Sequence, residues 1–341
     1  MQLRRLGNSG LKVSGLSLGA MTFGESQTFM KGVTSSDEEA HRVFDRAVDA
    51  GINLVDTANV YSEGKSEELT GKWLKGKRDR VLLATKCRFP VGFGVTSTPG
   101  PHDWGLSRKA ILGACDASLK RLDTDFIDLY QVHMQDTSVA IDETLRALDD
   151  LVTQGKVRYI GCSNYTGYRL VESLWTADRL LRHRYESVQL QWSLAVRAAE
   201  REVIPACRAF GLGTLVWSPL ARGFLSGKYK RNQAPPAGTR LESWRESYQA
   251  FDTDRMWNLL DAVERVAKRR ESIPAAIALA WLLAKPETTS VIIGARSVQQ
   301  LDENLRACDV KLSADDLKEL DDASKPNWEY PYDFIGRQQP W

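Results

Sequence analysis

Short apolar runs of four to six residues alternate along this chain with amphipathic stretches of ten to sixteen, and eight such units can be counted. No other feature constrains the fold as strongly. A short strand followed each time by a helix long enough to cross back over a sheet builds parallel β-α units. The predicted strands cover residues 16–18, 53–56, 81–85, 126–132, 159–162, 187–191, 214–216 and 291–293. The clearest helix reads SSDEEAHRVFDRAVDAG: Ser36 caps it, acids fill its first turn, Val43, Ala47 and Ala50 share a face, and Gly51 ends it. The stretch IDETLRALDDLVTQGKV repeats the design and ends at Gly155. Eight units favour closure into a (β/α)8 TIM barrel over an open doubly wound sheet. The opening QLRRLGNSGLKV reads as an N-terminal β-hairpin that turns over residues 7–10 and plugs the barrel floor.

Length alone would divide 341 residues into about two domains. A barrel of about 250 residues with insertions folds as one, so residues 1–341 are expected to form a single domain. Hydrophobic residues make up 43% and charged residues 26%, enough for a large core. The net charge of +2, with no long basic run, argues against nucleic acid as a partner. No window approaches the roughly 18 apolar residues of a membrane span, and the N-terminal stretch is broken by glycine, asparagine and serine before a signal peptide could form. Cys87, Cys115, Cys162, Cys207 and Cys308 are widely spaced without a C-x-x-C, which fits neither a disulfide framework nor a metal site. A reducing, cytoplasmic setting is expected.

Three long irregular stretches interrupt the repeat: residues 87–106, residues 221 to about 254, and the tail after Pro326. The first two follow the third and seventh strands, which places them on the barrel's C-terminal face, where sites of this fold are built. The tail, PNWEYPYDFIGRQQPW, is aromatic, and either folds over the same mouth or staples itself to the barrel wall or a neighbouring subunit.

Asp56 ends the second strand, Lys86 follows the third, His133 follows the fourth, and Tyr61 lies just beyond the second. A lone aspartate after a strand is commonly a helix cap and a lone lysine a solvated charge; it is the joint placement of four such groups on one rim that points to chemistry. They suit proton delivery to a carbonyl oxygen while a hydride arrives at its carbon. Tyrosine, with a pKa near 10, keeps its proton at neutral pH. Lys86 beside Tyr61 is expected to favour the phenolate by roughly 1–3 pKa units, and Asp56 to orient Lys86 and keep it charged. A neutral His133 would hold the substrate oxygen in line with the Tyr61 hydroxyl.

The runs D56-T-A-N-V-Y61-S, T-K86, DLYQVH133 and GKVRYIGCSN164 closely resemble the aldo-keto reductase superfamily, and the similarity extends from GLKVSGLSLGAMTFG to IIGARSVQQLDENL. The resemblance implies that Asp56, Tyr61, Lys86 and His133 form the catalytic set, and that hydride passes directly from a nicotinamide without a metal. No G-x-G-x-x-G joins a strand to a helix, and GFLSGKY has the wrong spacing for a P-loop, so loops of the barrel must hold the cofactor. By the same resemblance Ser163, Asn164 and Gln189 bind the carboxamide and Trp217 stacks on the nicotinamide. Ser218, Leu220 and Gly223 approach the pyrophosphate, and Lys228 neutralises part of its charge. Arg296 opens the last motif and offers a planar fork to a 2′-phosphate at a helix N-terminus. Gln300 adds a donor there, and Glu303 with Asn304 resemble the adenine-binding pair.

No acid for a ribose 2′-hydroxyl is evident at this end, so NADPH/NADP+ is expected in preference to NADH. The resemblance implies an enzyme that reduces a small-molecule aldehyde or ketone to an alcohol. The aromatic content of the tail and first loop points to a bulky or aromatic carbonyl; Phe89 and Trp104 of that loop either line the substrate pocket or stabilise the loop itself. The family also contains potassium-channel β subunits, which keeps open a cofactor-binding regulatory role, and it contains monomers, dimers and larger rings, which keeps open a homo-oligomer. A barrel isomerase acting on phosphorylated sugars would need a phosphate site but no carboxamide trio, and Ser163, Asn164 and Gln189 count against it.

Overall fold

The first residues form the expected hairpin: β1 (Leu3–Arg5) and β2 (Lys12–Ser14) pair antiparallel, with Leu3 opposite Ser14 and Arg5 opposite Lys12. In this computed structural model, which describes residues 1–28, 30–92 and 98–338, the hairpin closes the bottom of a barrel. Leu6 and Val13 pack with Leu54, Ala84, Leu129, Leu215 and Ile292, the side chains that fill the barrel's interior. Gly7 makes this approach possible. Its φ is +58°, and a Cβ there would lie 2.6 Å from both the Gly211 carbonyl oxygen and the Gly213 amide nitrogen.

The barrel strands are β3 (Leu16–Gly19), β4 (Leu54–Asp56), β5 (Leu82–Cys87), β6 (Ile127–Val132), β7 (Val157–Ser163), β8 (Ser187–Gln191), β9 (Gly213–Trp217) and β10 (Thr288–Ile293). They run in that order round a closed parallel ring, sealed where Val291, Ile292 and Ile293 of β10 pair with Leu16, Ser17 and Leu18 of β3. Each predicted strand coincides with one of them. β10 starts earlier than expected because Thr288, Thr289 and Ser290 are polar yet buried. Two of the three hydroxyls are satisfied inside the wall: Ser290 donates to the Ser14 carbonyl at 2.7 Å, and Thr289 accepts from the Thr214 amide at 3.1 Å, whereas the Thr288 hydroxyl is buried without a partner.

Helices ring the strands. In the helix Asp37–Asp49, Ser36 accepts a hydrogen bond from the Glu39 amide, and Ala40, Val43, Phe44, Ala47 and Val48 are buried. Gly51 and Gly155, with φ of +87° and +73°, follow the helices Asp37–Asp49 and Ile141–Thr153. The stretch 221–254 is less irregular than expected: it holds a 3-10 turn over Ala221–Ser226 and short helices at Arg240–Ser243 and Arg245–Phe251. In the tail, the helix Tyr332–Gln338 docks through Tyr332. Its hydroxyl donates to Glu202, and the Arg201 guanidinium lies 5.0 Å over its ring. The tail's described part is thus stapled beside the loop that follows β8, while Tyr330 and Phe334 stay exposed; its last residues, 339–341, lie outside those described. Among the described residues no helix is long and apolar enough to cross a membrane.

Candidate active site

Parallel strands in a closed ring deliver all their C-terminal ends to one face, and three neighbouring strands carry the polar set there. On β5, Leu82 and Ala84 belong to the barrel interior, so Lys86, next on the same alternating row, also points inward. It is completely buried. Its Nζ donates to Asp56 Oδ2 at 2.5 Å, to the Thr57 carbonyl at 2.8 Å and to the Tyr61 hydroxyl at 3.3 Å. Burial alone would push the ammonium's pKa down, but Asp56 and Tyr61 more than offset it, and Lys86 is held above its ordinary value.

The other oxygen of Asp56 accepts from Gln131 at 2.9 Å and from Gln189 at 2.8 Å. Asp56 is therefore fixed from both sides, and Gln131 joins the site although sequence reasoning missed it. Two residues before His133 in DLYQVH, it lies on the same strand face, which is the signal that would have found it. The amide nitrogen of Gln189, expected at the carboxamide, is engaged with Asp56 and lies 3.2 Å from Gln131 Oε1.

Tyr61 sits at the start of a tight turn, Tyr61–Gly64, in which Ser62 and Glu63 take positive φ of 47° and 55°. Ser62 anchors the turn by donating to the Gly24 carbonyl at 3.0 Å. The expected lowering of the Tyr61 pKa does not occur. Burial raises it, Lys86 opposes that only in part, and the Asp56 charge adds to the rise, so the phenol stays protonated beyond its ordinary range.

His133 meets its expectation of neutrality: burial first, then the Lys86 and Arg88 charges, hold its pKa well below the usual value. Its ring stands edge-on to Tyr61 with centroids 5.8 Å apart, and Nδ1 is buried without a hydrogen-bond partner. Cys87, next to Lys86, is buried against Tyr130, and its thiol is pushed up to about 12 by burial.

The other predicted residues line the same rim. Ser163 is buried at the end of β7. Asn164, in a left-handed conformation at φ +54°, donates to the His133 carbonyl at 2.8 Å and to Ser163 Oγ at 3.0 Å. Trp217 ends β9 with its indole nitrogen buried and unpartnered. Ser218, Ala221, Arg222 and Gly223 all take positive φ, and the turn is tied by Ser218 Oγ accepting from the Arg222 amide at 3.2 Å and by the Leu220 carbonyl accepting from the Gly223 amide at 2.9 Å. A Cβ on Gly223 would lie 3.2 Å from Lys228 Nζ, so the glycine leaves room for that ammonium.

Lys228, Arg240 and Arg296 converge there, with Arg222 beside Arg240. Burial and then Arg296 pull the Arg240 pKa down to about 10, and burial, Arg296 and Arg240 lower that of Lys228. Among the described residues none of these four cations is in an ion pair. Arg222 and Arg240 each lie 5.4 Å from the ring of Trp244. Arg240 and Arg222 were not legible as site residues, because their convergence depends on how the stretch 221–254 folds back.

One expectation needs correction. The N-terminus of the helix Val298–Leu305 is not free for an anion: Glu39 accepts from the Val298 amide at 2.9 Å, and the Ser297 hydroxyl accepts from the Gln300 amide at 3.3 Å. Gln300 Oε1 in turn accepts from the Arg296 amide at 3.0 Å. The Arg296 side chain beside this helix start is steadied by the Gly238 carbonyl at 3.1 Å. Glu303 accepts from Gln299 at 3.1 Å, and Asn304, buried, donates to the Gly294 carbonyl at 3.3 Å.

A family model described as the Aldo/keto reductase family matches residues 15–325. The chain is 38% identical to an uncharacterized oxidoreductase of Bacillus subtilis, over 94% of this chain and 95% of that protein. It is 35% identical to a versiconal hemiacetal acetate reductase of Aspergillus parasiticus, over 97% and 99% of the two chains. It is also 35% identical to a protein of Arabidopsis thaliana named as a probable voltage-gated potassium channel subunit beta, over 91% and 92%.

Proposed function

The chain belongs to the aldo/keto reductase family, and from that premise we propose that it is an NADPH-dependent carbonyl reductase with Tyr61 as general acid. The observation that carries the reading is the buried Lys86 ammonium, bonded at once to Asp56 and to the Tyr61 hydroxyl beside a neutral His133. When bound, the nicotinamide supplies hydride to the carbonyl carbon. Tyr61 keeps its proton until the carbonyl oxygen takes on charge, and then gives it to that oxygen. Lys86, already 3.3 Å away, stabilises the phenolate left behind. Asp56, held by Gln131 and Gln189, fixes Lys86 in place, and His133 orients the carbonyl oxygen toward Tyr61. General acid catalysis of this kind is worth about 100- to 10,000-fold.

NADPH is favoured over NADH because Lys228, Arg240 and Arg296 gather positive charge that, among the described residues, forms no ion pair and is offset only in part by Glu303 near Lys228, and an additional phosphate dianion answers it. Ser163, Asn164 and Gln189 would hold the carboxamide and Trp217 the nicotinamide face. Ser218, Leu220 and Gly223 would line the pyrophosphate, and Gln300, Glu303 and Asn304 the adenosine end. We read residues 1–341 as a single domain, and place it in the cytoplasm on its five free thiols.

Titration with NADPH and with NADH, followed by quenching of tryptophan fluorescence, tests the cofactor, and absorbance decay with a panel of aldehydes and ketones tests the reaction. Tight NADPH binding with turnover is expected. Absence of binding overturns the reading. Binding without turnover across the panel moves the weight to a regulatory subunit, the role suggested by the similarity to the channel subunit.

A further inference from the structure

Arg88 lies two residues beyond Lys86, where β5 has ended and the chain turns over the barrel mouth, and the chemistry above uses it only as one of the charges that keep His133 neutral. Its φ is +127°, a conformation that non-glycine residues rarely adopt and that persists only where the surroundings enforce it. The enforcement is visible. Asn59 donates from its backbone to the Lys86 carbonyl at 3.3 Å and from its side chain to the Phe89 carbonyl at 2.8 Å, and the Gly105 amide donates to the Arg88 carbonyl at 3.0 Å.

The guanidinium that results lies 4.9 Å from the ring centre of Phe89 and 5.6 Å from that of Trp104. Phe89 stands edge-on to His133 at 5.1 Å and to Trp104 at 5.9 Å. One aromatic ring thus separates a fixed cation from the histidine that faces the reacting oxygen. Nε donates to the Gln135 carbonyl at 3.3 Å, whereas Nη1 is enclosed without a partner. Among the described residues Arg88 belongs to no ion pair. Positive charge is thus held beside the site between aromatic walls, with one unused donor; the Asp136 carboxylate acts on it only from beyond ion-pair distance, so among the described residues no anion is bonded to its planar fork.

We propose that Arg88 selects the substrate: it receives the acid group of an aromatic carbonyl compound, an aryl aldehyde or ketone carrying a carboxylate, whose ring lies against Phe89 and Trp104. This rests on the reductase reading and narrows it to one class of carbonyl. The carbonyl end meets Tyr61 and His133, and the carboxylate end meets the guanidinium.

The test compares kcat/KM, with NADPH, for 3- and 4-formylbenzoate against the uncharged formylbenzamides of the same shape and against benzaldehyde, alongside calorimetric binding of the formylbenzoates to protein saturated with NADP+. At least one formylbenzoate is expected to exceed its amide by about tenfold or more, the scale of a charge-assisted hydrogen bond. Arg88→Met and Arg88→Gln, shown to be folded by their NADPH titrations, are expected to remove that preference and weaken formylbenzoate binding to the same degree. Arg88→Lys, a point charge without the fork, should keep part of it. Equal rates for acid and amide in the wild type, or a preference that survives both neutral variants, overturns the proposal while benzaldehyde turnover leaves the reductase standing. If no carbonyl on the panel is reduced, the reductase reading fails first and the proposal falls with it.

Discussion

Buried titratable groups are costly unless each has a partner, and the catalytic rim meets that demand through Lys86. Remove its ammonium and Asp56 keeps two glutamine donors but loses its counter-charge in a water-excluded site. Lys86→Met is therefore expected to destabilise the fold by about 3–5 kcal/mol, the usual cost of leaving a buried charge uncompensated, measured by urea unfolding. Tyr61→Phe keeps the ring and loses only the proton. NADPH should bind to it as to the wild type by fluorescence titration, while kcat falls about 100- to 10,000-fold; near-wild-type turnover would remove Tyr61 from its role.

The directions of the two shifts also fix a pH profile. Reduction needs Tyr61 protonated, and its pKa lies above the ordinary 10.0; it needs His133 neutral, and its pKa lies well below 6.5. The rate of the hydride step should then be level from pH 6.5 to 10.0 and decline only on the alkaline side, as followed by single-turnover kinetics with NADPH. An acid limb near 6.5 would place a protonating imidazole in the step. Asp56, Lys86 and His133 were legible because each closes an apolar run. Gln131 was equally legible from alternation, but amides inside a strand are easily taken for wall.

At the scale of elements, hydropathy found the strands and mistook their polar beginnings. Thr289 and Ser290 help to extend β10 because their hydroxyls are satisfied by the backbone inside the barrel wall, which a hydropathy pattern does not register. The helix Val298–Leu305 shows the opposite limit. Its start was placed from the motif, yet the Glu39 carboxylate that takes its first amide comes from a helix 259 residues away. With the Val298 and Gln300 amides engaged, the proposed reading of a 2′-phosphate rests on side chains, chiefly Arg296 and Arg240. Arg296→Ala and Arg240→Ala are each expected to raise the Kd for NADPH by about tenfold or more, and the Kd for NADH by much less, in fluorescence titrations. An equal loss for both cofactors would mean that the arginine contacts the part the two share.

For the whole molecule, eight β-α units made a closed ring the natural reading, and the seam between β10 and β3 completes it. What the sequence could not display is how tightly the hairpin must seat in the floor, since that depends on backbone atoms far apart in the chain. Gly7 and Gly10 look interchangeable in LGNSG. In the fold they are opposites: a Cβ at Gly7 collides at 2.6 Å with backbone on either side of β9's start, whereas one at Gly10 meets nothing within 4 Å. Gly7 also needs φ +58°, which costs an L-residue roughly 1–2 kcal/mol before any collision is counted. Gly7→Ala should therefore lower the urea midpoint by more than that strain alone implies, because the plug carrying Leu6 and Val13 must withdraw from the interior side chains it covers. Gly10→Ala, open to solvent, should stay within about 0.5 kcal/mol of the wild type. Equal and small effects at both positions would show that the hairpin rests on the barrel without sealing it, and the interior layer of Leu54, Ala84, Leu129, Leu215 and Ile292 would then have to be stable without a floor.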